Sequence, residues 1–117
     1  MAVIELTVVP IGTKETSVSK YVAGCEKVLK EYEDLEVRLN PMGTVIHGDI
    51  DKAFEAIRAC QESVFKNGAD RVYSVIKIDD RRDKKASLDQ KIKSVEDKMQ
   101  NKNPILMMGF FVPILSK

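Results

Sequence analysis

Apolar and polar positions alternate over residues 3–9, with Ile4, Leu6 and Val8 on one side and Glu5 and Thr7 on the other. Successive side chains of an extended strand point to opposite faces, so this spacing predicts a half-buried strand. Pro10-Ile-Gly-Thr13 ends it, and a polar stretch leads to Ser17, whose hydroxyl suits a helix N-cap. From there Val18, Val22, Cys25, Leu29 and Tyr32 recur at steps of four and three, with Tyr21 and Val28 widening the stripe. That is the periodicity of one helix face.

A second strand is expected at 35–40, where Leu35, Val37 and Leu39 alternate with Glu36, Arg38 and Asn40. Pro41-Met42-Gly43 turns the chain into a third strand over 44–48. Asp49 and Asp51 bias the start of a second helix, since carboxylates there meet free amides and the positive end of the helix dipole. Phe54, Ile57, Cys60 and Val64 form its expected inner stripe, and Asn67-Gly68 ends it with a left-handed cap. A fourth strand follows over 71–78, with Val72, Ser74, Ile76 and Ile78 opposed to Tyr73, Val75 and Lys77. After the charged run 79–85, Ser87-Leu-Asp-Gln90 reads as a capping box. Leu88, Ile92, Val95 and Met99 mark a third helix.

The order β-α-β-β-α-β-α predicts an α+β fold, a ferredoxin-like βαββαβ sandwich with an antiparallel four-stranded sheet plus a C-terminal helix. Its domain spans residues 1–99, and residues 100–117 form an apolar tail. The sheet face away from the helices should carry Glu5, Thr7, Val9, Arg38, His47, Tyr73, Val75 and Lys77. That mixture suits a second copy of the chain or a ligand, with an ordinary solvated face as the alternative.

Composition narrows the function classes. At 117 residues the chain can bury one core without disulfides or a metal. A formal net charge of +1 provides no basic footprint for nucleic acid or an anionic membrane. Cys25 and Cys60 lie far apart inside helical patterns and read as two buried thiols in a reducing compartment, although a disulfide between them stays open. No Cys/His cluster has metal-ligand spacing, so no metal and no cofactor is expected. The N-terminus reads as a strand rather than a signal peptide, and no stretch reaches the roughly 18 apolar residues of a membrane span. The expected location is the cytoplasm. The uncharged stretch 105–115 would be an aggregation hazard if left bare, so packing into a groove of this subunit or a neighbour is its expected use.

Candidate chemistry is sparse. His47 is the single histidine, and a general base needs an orienting partner, for which a carboxylate such as Glu5 across the sheet is one choice. Gly12-Thr13 and Gly43-Thr44 form a matched pair, each two residues after a proline and each at a strand boundary. Such turns offer bare amides and a hydroxyl for a polar ring or an anion, and Ser17 and Ser19 lie at a helix start beside one of them. The alternating charges of 79–85 suit arginine forks paired with carboxylates across subunits better than phosphate binding.

Together, Val9-Pro-Ile-Gly-Thr13, Ser17-Val-Ser-Lys-Tyr-Val-Ala23, Pro41-Met-Gly-Thr44, Gly68-Ala-Asp-Arg-Val72 and Ile76-Lys-Ile-Asp-Asp-Arg-Arg-Asp83 resemble the YkoF-like thiamine-binding protein family, in order over residues 2–99. The resemblance implies a ferredoxin-like fold, a homotetramer, and binding of thiamine or its hydroxymethylpyrimidine moiety without catalysis. It implies a pocket wall made of Thr13, Ser17, Ser19, Met42, Gly43 and Thr44, with His47 where the family commonly has an acidic residue. Neutral imidazole can accept one hydrogen bond there, whereas histidinium would repel a cationic thiazolium. Two rivals remain: a structural or regulatory oligomer without a small-molecule ligand, and an enzyme built on His47 and an acid.

Overall fold

The alternating N-terminal segment becomes the inner strand of a sheet. The structure, a computed structural model, describes residues 1–85 and 87–101. In chain order the elements are β1 (Ala2–Ile11), α1 (Ser19–Lys30), β2 (Glu36–Asn40), β3 (Gly43–Gly48), α2 (Ile50–Lys66), β4 (Arg71–Asp80) and α3 (Leu88–Asn101). Backbone packing divides the chain into two units, Met1–Lys85 and Ala86–Lys117.

In the first unit β1 pairs antiparallel with β3 on one side and β4 on the other, giving the order β2-β3-β1-β4. Register follows from burial. Ile4 faces Ile46 on one neighbour and Ile78 on the other, so apolar side chains align across the sheet. Helices α1 and α2 lie on that face, and the order β-α-β-β-α-β on an antiparallel four-stranded sheet is the ferredoxin-like α+β fold. The core is Ala2, Ile4 and Leu6 of β1, Ile46 of β3, Tyr21, Cys25 and Leu29 of α1, and Ala53, Ala56, Ile57, Cys60 and Val64 of α2.

Helix ends obey their local chemistry with one exception. Asp49 caps α2 by accepting from the Lys52 amide at 3.1 Å. Gly68, at φ +110°, closes the other end in the left-handed region, with the Ala69 amide reaching back to the Val64 carbonyl at 3.3 Å. Ser17 is the expected cap of α1, but the N-cap is Val18, whose side chain makes no capping bond, and Ser17 is left with a long bond from the Ser19 amide at 3.4 Å. The Ser17 hydroxyl instead meets the Ser19 hydroxyl at 3.1 Å.

The inner face of α2 also differs from expectation. Ala53 and Ala56 are buried, while Phe54 is 45% exposed. A helix laid close on a sheet accommodates methyl groups at the contact, and a phenyl ring there would push it away. The helices also approach each other closely. A Cβ on Gly24 would lie 2.8 Å from both the Ser63 hydroxyl and the Asn67 side-chain amide. At the same contact each of Cys25 and Cys60 directs its thiol to the other's carbonyl, at 3.6 and 3.8 Å, and both are buried free thiols.

Strand β4 is one of the two edges of the sheet, and an edge strand has a neighbour on one side only. Ile76 and Ile78 therefore stay 38% and 43% exposed although they point to the helix side. In the second unit the expected capping box is present: the Ser87 amide donates to Gln90 Oε1 and the Gln90 amide to Ser87 Oγ, at 3.2 and 3.1 Å. The expected apolar tail lies outside the described residues. Among those residues no helix is long and apolar enough to cross a membrane.

Ile46 is fully buried at the centre of the sheet. Ile46→Ala should lower the free energy of unfolding by about 2–5 kcal/mol, the cost of lost transfer energy plus a cavity. Urea denaturation measures this, and a loss under about 1 kcal/mol would contradict the central placement.

Candidate functional site

Two concavities adjoin the start of α1. The larger is an open groove of about 1030 Å³ between α1 and the β2–β3 hairpin, with Val18, Val22 and Glu26 on one side and Leu39, Asn40 and Pro41 on the other. The smaller, about 290 Å³, lies under the β1–α1 loop and is lined by Gly12, Thr13, Lys14, Ser17, Lys20 and Asp70 among others. Ser17 lines both.

The hairpin wall is a two-residue turn, Pro41-Met42, closed by the Asn40–Gly43 pair. Gly43 has a packing reason to be glycine: a Cβ there would stand 3.0 Å from the Leu6 carbonyl and 3.1 Å from the Thr7 hydroxyl. The Thr7 hydroxyl donates to the Met42 carbonyl at 3.1 Å and ties the turn to β1. Met42 itself projects outward, 86% exposed.

The groove's carboxylate, Glu26, is held by a buried threonine of β3, a pairing that sequence reasoning missed in part. Thr44 points to the helix side of β3 and is 7% exposed, the one buried polar side chain among the described residues. Its hydroxyl donates to Glu26 Oε1 at 2.7 Å. Glu26 follows Cys25 on α1, half-buried at the border between the inner stripe and the groove. Burying a threonine hydroxyl on an otherwise apolar face requires a partner, and that requirement is the signal by which Glu26 could have been found.

The other expected residues separate. Thr13 spends its hydroxyl locally, donating to the Glu15 carbonyl at 3.0 Å. Ser17 and Ser19 stand at the groove's rim. His47 faces the opposite side of the sheet from Thr44, because the two are three residues apart on one strand and side chains alternate. Its carboxylate neighbour is Glu36 of β2, with Nδ1 3.6 Å from Oε1, while Glu5 pairs with Lys77 across β4. The register explains the choice: Glu36 lies directly opposite His47, whereas Glu5 lies opposite Val45.

The charged run after β4 pairs within the chain. Arg82 reaches Asp80 and Arg81 reaches Asp83, each two residues away. The Arg81 hydrogen bond holds the Asp83 carboxyl at about 2. Among the described residues no group of three or more His, Cys, Asp or Glu side chains could hold a metal ion.

With this geometry in view, comparison with known proteins decides the family. The model of the family described as "Thiamine-binding protein" matches residues 4–96. The chain belongs to that family. It is 44% identical over 103 residues to the UPF0045 protein YqgV of Bacillus subtilis, covering 86% of this chain and 99% of that one. The crystal structure of the hypothetical protein MJ1052 of Methanocaldococcus jannaschii superimposes with a TM-score of 0.74 at 41% identity, over 81% of this chain and 95% of that one. A Thermotoga maritima protein assigned provisionally to thiamine biosynthesis or salvage shares the fold, with a TM-score of 0.67 at 12% identity over 80% of this chain and 97% of that one.

Thr44→Val keeps the shape of the side chain and removes the bond to Glu26. It should cost roughly 1–2 kcal/mol of stability, the range for a hydrogen bond to a charged group that water can partly replace. Chemical denaturation of the ligand-free protein measures it, and an unchanged midpoint would show that the pair contributes nothing to the fold.

Proposed function

We propose that this member of the thiamine-binding family is a non-catalytic binding protein for thiamine or its hydroxymethylpyrimidine moiety, acting as a cytoplasmic homotetramer. The observation that carries the reading is the half-buried Glu26 carboxylate lining an apolar-walled groove. Binding sites for small heterocycles pair apolar walls with a few oriented polar groups. Val18, Val22, Leu39 and Pro41 offer flat apolar surface for a planar ring. Glu26 Oε1 already accepts from Thr44, leaving Oε2 to accept the exocyclic amine of an aminopyrimidine. Ser17 and Ser19 supply hydroxyls at the rim. Pro41 of the hairpin turn closes the far wall.

A binding role suits a groove whose carboxylate is already held by a threonine hydroxyl. Assembly into a tetramer draws support from the β4 edge, where Tyr73 and Val75 on one face and Ile76 and Ile78 on the other are all exposed.

Isothermal titration tests the reading. Thiamine and hydroxymethylpyrimidine should each release or absorb heat on binding to the wild type, and Glu26→Gln should weaken binding at least tenfold, about 1.4 kcal/mol. A ligand in the groove reaches Glu26 and not His47, so His47→Ala should keep wild-type affinity. The reverse pattern would move the site to the other sheet face. No heat from either ligand at millimolar concentration would leave a structural oligomer as the reading.

A further inference from the structure

Two thiols stand face to face where α1 meets α2, and the groove reading gives them no task. Cys25 and Cys60 are 35 residues apart in sequence, and each directs its sulfur at the other's carbonyl oxygen, at 3.6 and 3.8 Å. We propose that they form a redox-active pair: hydrogen peroxide oxidises Cys25, Cys60 resolves the product, and the resulting disulfide ties α1 to α2. The proposal goes beyond the groove reading and stands whether or not a ligand binds.

Placement makes the first argument. A reciprocal contact of sulfur with backbone requires the two helices to lie close, and Gly24 permits it. A Cβ there would stand 2.8 Å from both Ser63 Oγ and Asn67 Nδ2. With the backbones already this near, the two sulfurs meet by rotation of their side chains.

Asymmetry makes the second argument. Cys25 is 8% exposed and Cys60 is fully buried, so a small oxidant meets Cys25 first. The hydrogen bond with the Cys60 thiol holds the Cys25 thiol below its ordinary value, against burial and the neighbouring Glu26 carboxylate. That same bond and burial push the Cys60 thiol up. The thiolate is the nucleophile, and an entry thiol poised beside a resolving one is the arrangement of a redox sensor.

The chemistry runs in two steps. The Cys25 thiolate attacks one peroxide oxygen; an S–O bond forms, the O–O bond breaks, and the departing hydroxide takes a proton to become water. Cys25 is then a sulfenic acid. The Cys60 sulfur attacks the Cys25 sulfur as it loses its proton; the S–S bond forms, the S–O bond breaks, and a second water leaves. Two thiols and one peroxide thus give one disulfide and two waters. A reducing compartment returns the pair to thiols once the oxidant is gone, which makes the bond a reversible signal. Because α1 carries Val18, Val22 and Glu26 of the groove, the bond also fixes that wall against α2.

Treating the reduced full chain with hydrogen peroxide and mapping its peptides tests this. The wild type should yield a linked Cys25–Cys60 peptide that dithiothreitol reverses. Its melting temperature should rise by roughly 5–15 °C, since the bond closes a loop of 35 residues. Brief exposure in the presence of dimedone, which traps sulfenic acids, should label Cys25 and leave Cys60 untouched. Cys60→Ala, its fold verified by circular dichroism, should stop at the trapped Cys25 product. A wild type that keeps both thiols, or links them only in denaturant, overturns the proposal. A melting temperature that falls on oxidation overturns it too, because the fold would then not accommodate the bond. Dimedone on Cys60 in place of Cys25 overturns the order of attack.

Discussion

The alignment of Ile4 with Ile46 and Ile78 is the constraint from which the rest follows. Strand β1 is hydrogen-bonded on both sides, so its alternation is imposed on β3 and β4, and through β3 on β2. A slip of one residue would turn Ile4, Leu6 and Ile46 outward and bring Glu5, Val45 and Lys77 against the helices. The energetic gap against that slip is large, because each buried isoleucine or leucine contributes about 1.5–3 kcal/mol by leaving water. The same register sends Thr44 to α1 and His47 to the other face. The separation of two polar residues that are neighbours in sequence is thus a by-product of core packing.

Helix α1 is fixed in turn by small residues. Gly24 and the facing thiols of Cys25 and Cys60 let α1 lie close against α2. Tyr21, Cys25 and Leu29 then face the sheet, which leaves Val18, Val22 and Glu26 at the margin where the helix meets the β2–β3 hairpin. The groove exists because the hairpin extends beyond the helix without closing on it. Its apolar walls are therefore side chains that the core did not use, and its carboxylate is the partner that a buried threonine required.

Much of this was legible in the residues. Period-two alternation located β1 and β4, and the capping residues Asp49, Gly68 and Ser87 marked helix ends whose chemistry is local. What escaped depended on distance in three dimensions. Phe54 outweighs Ala53 in any hydrophobic stripe, yet the closeness of α2 to the sheet favours the alanine. Ser17 has the chemistry of a cap, but the helix starts two residues later. Glu26 went unremarked because its partner lies 18 residues away on another element. The odd spacing of Thr44 and His47 was readable in advance, since alternation alone puts them on opposite faces. The matched Gly-Thr turns were read as one chemistry and prove to be two. Gly12 bends the chain at positive φ, and Gly43 makes room for the Leu6 carbonyl.

The opposed cysteines have a practical consequence. Cys60 is fully buried and Cys25 is 8% exposed, and the hydrogen bond with Cys25 together with burial pushes the Cys60 thiol well above its usual range. A thiol held protonated and out of solvent does not react with an alkylating reagent until the surface around it opens. Cys60 thus carries an internal clock: its own rate of alkylation reads the free energy of prising α1 from α2, with no label added. Because α1 also forms one wall of the groove, a molecule seated there would slow that clock by the free energy with which it binds.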